Sequence, residues 1–119
     1  MSRTRFRPGE VRVVEAEQAA TVPCFRLPDL PGAALHRMLT TPDWAITHEK
    51  SGLAIRALLT ERQARRLMRL LAGHNFDRPR DEVIRDEGLT ADVLGYASQV
   101  CGEHLYVRRQ DGSWTFSPG

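Results

Sequence analysis

Residues 84–94 read IRDEGLTADVL, and the way this run divides decides the fold. The acidic segment from Arg80 to Gly88 reads as a short helix. Asp81 or Glu82 suits the positive helix start, and Gly88 suits the left-handed exit. Leu89 stands where an apolar contact often follows such a glycine. Thr90 then caps a longer helix through ADVLGYASQVCGE, residues 91–103, with Leu94, Ala97 and Cys101 along one apolar line and Val93, Tyr96 and Val100 along the next. A glycine inside a helix costs roughly 1 kcal/mol against alanine, so Gly95 reads as a point of close packing.

Before this run, residues 60–73, TERQARRLMRLLAG, carry the clearest helical signal. Thr60 and Gln63 form a capping box, Ala64, Leu67, Met68 and Leu71 line one face, and Gly73 stops the helix. Arg62, Arg65, Arg66 and Arg69 fill the remaining arc. After it, Gly102 closes the last helix, and residues 105–116, LYVRRQDGSWTF, fold back around Asp111-Gly112 as a hairpin carrying Arg108 and Arg109.

A helix from Thr60, a short acidic helix, Gly88-Leu89-Thr90 as turn and cap, Leu94 four residues beyond the cap, and a terminal hairpin together resemble the winged helix-turn-helix superfamily. The resemblance covers residues 60–116. It implies that the hairpin is a wing gripping phosphates or the minor groove through Arg108 and Arg109. It also implies that the third helix enters the major groove, where Gln99 is placed to read adenine.

The N-terminal half reads in twos. Val11 and Val13 alternate with Arg12 and Val14 as in a half-buried strand. TVPCFRL makes a second strand, displaced toward an edge because Pro23 has no N–H for a ladder. AALHRML, introduced by Pro28, Pro31 and Gly32, reads as one or two helical turns. DWAITHEK and LAIRALL pair across the turn EKSG. In residues 1–9, Arg3, Arg5 and Arg7 alternate around Phe6, and this segment reads as a flexible basic arm able to follow phosphates.

The expected architecture is therefore α+β. A small antiparallel sheet with a short helix occupies residues 10–59, and a three-helix winged-helix-like lobe ending in a β-hairpin occupies residues 60–119. The two lobes form one compact domain, as a chain of 119 residues with 41% hydrophobic and 27% charged side chains allows.

The net charge of +2 demands no polyanionic partner, yet the cations are sixteen arginines against the single lysine Lys50. Codon usage in a GC-rich genome produces the same bias, so placement carries the inference. Arginine makes bidentate contacts with phosphate and guanine that lysine makes less well. The carboxylates of Asp81, Glu82, Asp86, Glu87, Asp92 and Glu103 would repel phosphate from the last two helices. Nucleic acid, DNA ahead of RNA, is therefore expected on the arm, the first long helix and the wing.

Catalytic signals are weak. His36, His48, His74 and His104 lack zinc spacings, and nothing beside Cys24 or Cys101 implies an activated thiolate. Phosphate-cradling glycine loops are missing, and the acids from Asp77 to Glu87 read as a charged helix face. We expect no catalytic set, no metal and no cofactor. The two distant cysteines, with no apolar leader and no long apolar run, place the chain in the reducing cytoplasm and off the membrane.

Two functions remain open. One is a small nucleic-acid-associated regulatory protein that holds the phosphate backbone with Arg3, Arg5, Arg7, Arg62, Arg65, Arg66, Arg69, Arg108 and Arg109, with Gln99 in reserve. The other is a protein-binding adaptor or inhibitor whose partner meets Asp81, Glu82, Asp86 and Glu87 or a free sheet edge.

Overall fold

A computed structural model describes residues 4–103 and 106–116. Five strands come first: β1 (Arg7–Glu15), β2 (Gln18–Arg26), β3 (Ala33–Arg37), β4 (Trp44–His48) and β5 (Ala54–Leu59). They form one antiparallel meander in sequence order. Three helices follow, α1 (Glu61–Leu70), α2 (Arg80–Arg85) and α3 (Glu87–Val100), and then a separate two-stranded sheet of β6 (Tyr106–Arg108) and β7 (Trp114–Phe116).

The alternation of β1 is real: Val11 and Val13 are buried while Arg12 is exposed, and all nine residues pair with β2. Pro23 sits where β2 has already parted from β3, because Phe25 and Leu35 form the only registered pair between those two strands. Pro23 lies opposite Glu10 of β1, and β2 is an interior strand between β1 and β3, so the expected shift toward an edge is corrected. The backbone N–H of Val14 donates to the Gly52 carbonyl at 2.8 Å, which draws the β4–β5 turn onto β1 and curls the sheet. Gly52 has φ +74°, and a Cβ there would press on the Arg12 carbonyl at 3.3 Å, so glycine is the residue that fits.

The expected architecture is corrected on this evidence of topology. A five-stranded sheet organises the fold, and the three-helix unit with a wing does not. AALHRML is strand β3, with Arg37 followed by a loop, where helical turns were expected. Four of its residues, Ala33 to His36, are buried, so both faces are covered and polarity never alternates. A short apolar run of this kind cannot be told from a buried helix by periodicity. His36 survives inside because both ring nitrogens are bonded, one to the Arg37 carbonyl at 2.7 Å and the other to Thr47 Oγ1 at 2.6 Å.

The turn at Gly88 is also corrected. Gly88, Leu89 and Thr90 lie in the first turn of α3, which begins at Glu87. The cap is Asp86, whose Oδ1 accepts the Leu89 N–H at 3.0 Å. Asp86 alone separates α2 from α3, and aspartate at that place satisfies an otherwise orphaned N–H and complements the helix dipole. Thr90 is inside the helix, its N–H bonded to the Asp86 carbonyl at 2.9 Å.

The boundary at Leu59 and Thr60 is where β5 gives way to α1. Both bonds of the Thr60–Gln63 capping box are present, at 3.1 and 2.9 Å, which is worth about 1 kcal/mol. Ala64, Leu67, Met68 and Leu71 are buried against Leu27, Leu30, Leu35 and Ile46 of the sheet side and Phe76, Leu89 and Ala97 of the helical side. Each large side chain buried there contributes roughly 1.5–3 kcal/mol. Sheet and helices therefore share one core, with α1 between the sheet and α3.

Candidate nucleic-acid interface

On a helix with 3.6 residues per turn, positions 62, 65, 66 and 69 fall within about 100° of arc, opposite the buried face of α1. They form two adjacent rows of i,i+4 neighbours, Arg65 with Arg69 and Arg62 with Arg66. The N-terminal segment lies on the first row. The Arg65 guanidinium stands 4.8 Å from the centroids of both Phe6 and Phe25, and that of Arg69 stands 4.7 Å from Phe6. Arg69 Nη1 also donates to the Thr4 carbonyl at 3.0 Å, and the Thr4 hydroxyl donates to Asp29 at 3.4 Å. A guanidinium over a ring at this range gives about 0.5–1 kcal/mol near a surface, so several contacts together seat the arm.

Charge on this surface is largely uncompensated. Arg65 pairs with Glu61 at 2.8 Å. Arg5, Arg7, Arg62 and Arg66 are exposed and have no ion-pair partner among the described residues. Arg69 meets only a carbonyl and a ring, which leaves its charge intact. Thr4 and Phe6 of the N-terminal segment are thus seated on α1, while Arg7 lines a groove with Pro28, Leu30 and Pro31. Arg3 lies outside the described residues.

The hairpin arginines are placed differently. Asp92, on α3 with a side chain 14% exposed, gathers groups from three segments. Its Oδ2 accepts from His74 at 2.7 Å, its Oδ1 accepts the Trp114 indole N–H at 2.9 Å, and Arg108 Nη1 lies 3.5 Å from the same oxygen. Arg108 also donates to the Tyr96 hydroxyl and covers the Tyr96 and Trp114 rings at 5.2 and 5.6 Å. Trp114 meets Tyr96 edge-on at 5.0 Å. Burial by itself would raise the Asp92 carboxyl, but the hydrogen bonds from Trp114 and His74 and the charge of Arg108 outweigh it and hold the group below its ordinary range. Arg109 donates to Thr115 within the hairpin. Arg108 is consumed in holding the hairpin to α3.

Gly95 is the close contact anticipated: a Cβ there would stand 2.3 Å from the Trp114 ring. Gln99 is half-buried on α3, a helix flanked by Glu87 at its start and Glu103 just past its end. On the acidic side, Asp86 is committed to the α3 cap and to Arg78 at 3.0 Å. The Leu89 N–H, followed by Arg78, lowers its pKa. Asp81, Glu82 and Glu87 are exposed without ion-pair partners among the described residues.

Sequence reasoning missed the roles of Phe6, Phe25 and Asp92. A phenylalanine flanked by arginines, facing a helix with arginines four apart, was the available signal for the first two. For Asp92, the signal was that a tryptophan N–H, once buried, requires an acceptor. Among the described residues no cluster of His, Cys, Asp and Glu is arranged to hold a metal ion. No helix among them is long and apolar enough to cross a membrane. Comparison with protein families, with characterised proteins and with solved structures finds no match to this chain.

Proposed function

We propose that this protein binds the phosphate backbone of nucleic acid with the surface formed by the N-terminal arm and α1, in an accessory or regulatory capacity. The observation that carries the reading is the seating of Phe6 on Arg65 and Arg69. It supports the reading by tying the N-terminal segment that carries the exposed Arg5 to α1, whose Arg62–Arg66 row is also exposed. Preorganised guanidinium groups lose little entropy when they meet phosphate. Arg108, engaged by Asp92, is left out of this interface. The free thiols of Cys24 and Cys101 suit a reducing compartment such as the cytoplasm.

Binding of a labelled oligonucleotide, titrated with monovalent salt, tests the reading. If Arg5, Arg7, Arg62, Arg66 and Arg69 each meet a phosphate, log K falls with log salt at a slope of about −4. Affinity then drops roughly 250-fold between 50 and 200 mM salt. Undetectable binding at low salt removes the proposal.

A second reading has an observation of its own. Ile84, 55% exposed, shares α2 with the unpaired carboxylates of Asp81 and Glu82 and lines a groove of about 190 Å³ together with Leu53, Ile55, Arg80, Val83 and Val93. This face suits a protein partner with a basic rim and an apolar anchor, in an adaptor role. A complex that survives moderate salt and is lost on Ile84→Asp supports it. A complex unaffected by that change rejects it.

A further inference from the structure

Resting on the second, protein-binding reading above, we infer that the groove beside α2 receives the C-terminal residue of a partner chain, an apolar side chain whose own carboxylate meets Arg80. Along α2, Arg80, Val83 and Ile84 are i, i+3 and i+4 neighbours and so share one face, and all three line the groove. Phe76 and Leu89, both buried in the core, line it from below. Arg80 is exposed and has no ion-pair partner among the described residues. It is the one permanently charged side chain among the described lining residues. His48, in the same wall, is engaged at both ring nitrogens, by Ser51 Oγ at 2.8 Å and by the Arg78 carbonyl at 2.7 Å.

Size and charge together define the occupant. A cavity of about 150 Å³ holds one benzene ring, and sites for whole small ligands run from about 300 to 1,000 Å³. At about 190 Å³ the groove admits a single side chain the size of leucine or phenylalanine. The apolar body and the anion that suits Arg80 must therefore belong to one residue. No amino-acid side chain combines the two, but the last residue of a chain carries a carboxylate on the same Cα as its side chain. A guanidinium takes a carboxylate through two parallel N–H donors, and capture of a chain end is a recurring mode of peptide recognition. A small free acid has the same chemistry, yet it would leave Leu53 and Ile84 exposed at the rim. The residues that precede a chain end cover them. Asp81 and Glu82, exposed on α2 next to Arg80, suit lysine or arginine at those preceding positions.

Selection on the immobilised full chain from a library of random short peptides displayed with free C-termini tests this. The expected result is enrichment of Leu, Ile, Phe or Met at the last position, with Lys or Arg before it. An enriched peptide is then made as the acid and as the C-terminal amide and followed by fluorescence polarisation. The amide should bind about tenfold or more weakly, the size of a lost hydrogen bond between charged groups. With Arg80→Gln the difference between acid and amide should shrink to about twofold or less, and Arg80→Lys should restore part of it. Arg80 is exposed, so these changes leave the fold intact. Displacement of the peptide by 3-phenylpropanoate at a concentration near the peptide's own Kd would reveal a small-acid site and overturn the chain-end inference. Acid and amide that bind equally, both lost on Ile84→Asp, overturn it too and leave the protein-binding reading standing. A library yielding no peptide that depends on Ile84 also overturns the inference, whereas the reading it rests on falls only if no complex is lost on Ile84→Asp.

Discussion

Arginine meets aromatic rings at two places in this molecule, and the outcomes are opposite. On α1, Arg65 and Arg69 cover Phe6, Arg65 pairs with the exposed Glu61, Asp29 meets the adjacent Thr4, and the neighbouring Arg62 and Arg66 stay free in solvent. On α3, Arg108 covers Tyr96 and Trp114 while Asp92 faces it across the same rings. A buried carboxylate makes the difference: the Asp92 side chain is 14% exposed, whereas Glu61, 46% exposed, meets Arg65 alone. With it, a guanidinium becomes part of the protein's own structure. Without it, the ring positions the cation and its charge remains available to a partner.

Removing that carboxylate is the strongest way to break the contrast. Asp92→Ala leaves the Trp114 N–H and His74 without their acceptor and Arg108 without its counter-ion. A charged hydrogen-bonding partner lost from a largely buried site costs about 3 kcal/mol. Urea unfolding followed by tryptophan emission should show that loss, together with release of the hairpin. Retained stability would mean that the hairpin is held by ring packing alone.

Gly95→Ala attacks the same docking from below. The added methyl collides with the Trp114 ring, and overpacking of this kind costs about 1–3 kcal/mol. The gain in helix propensity recovers about 1 kcal/mol. A net loss of about 1 kcal/mol in the same assay is expected, and a net gain would show that the hairpin moves away freely.

Acid separates the regions by titration. Burial lowers the pKa of His36, against the opposing pull of its bond to the Arg37 carbonyl and the charge of Glu15. Its contribution is therefore complete above the ordinary histidine value of about 6.5 and is lost as pH falls through the lowered native value. Asp92 is likewise lowered, so its stability is complete above the ordinary carboxylate value and is lost at still more acid pH. Stability should decline below neutrality by up to about 1.4 kcal/mol per pH unit through His36, and His36→Gln should flatten that first limb. An unchanged limb would assign the proton elsewhere.

The smallest effect sharpens the α1 side. Phe6→Ala frees the arm yet leaves every arginine in place, so affinity for duplex DNA should fall about threefold to tenfold with the salt slope unchanged. A reduced slope would mean that Arg5 loses its phosphate contact altogether.

How far these two regions could be read from sequence follows from their physics. The α1 face was legible because its cap, its apolar stripe and its arginine arc are all local to residues 60–73. The hairpin was legible from Asp111-Gly112 for the same reason. Strand β3 was not, because a strand buried on both faces loses the alternation that identifies it. The α2–α3 junction misled because Gly88 imitates a helix exit, whereas Asp86, two residues earlier, supplies the side-chain cap. Asp92 read as one more surface acid, since its three partners come from residues 74, 108 and 114 and only folding assembles them.

The central claim is that arginines on the arm–α1 surface are free for phosphate while Arg108 is not. The direct test is the salt dependence of duplex DNA binding for the unaltered protein, for R62A/R66A and for R108A, with folding checked alongside. Two lost phosphate contacts reduce the slope by about 1.8 in R62A/R66A, with stability changed by less than about 0.5 kcal/mol, and R108A keeps the original slope. A slope reduced by about one in R108A and unchanged in R62A/R66A would contradict the account.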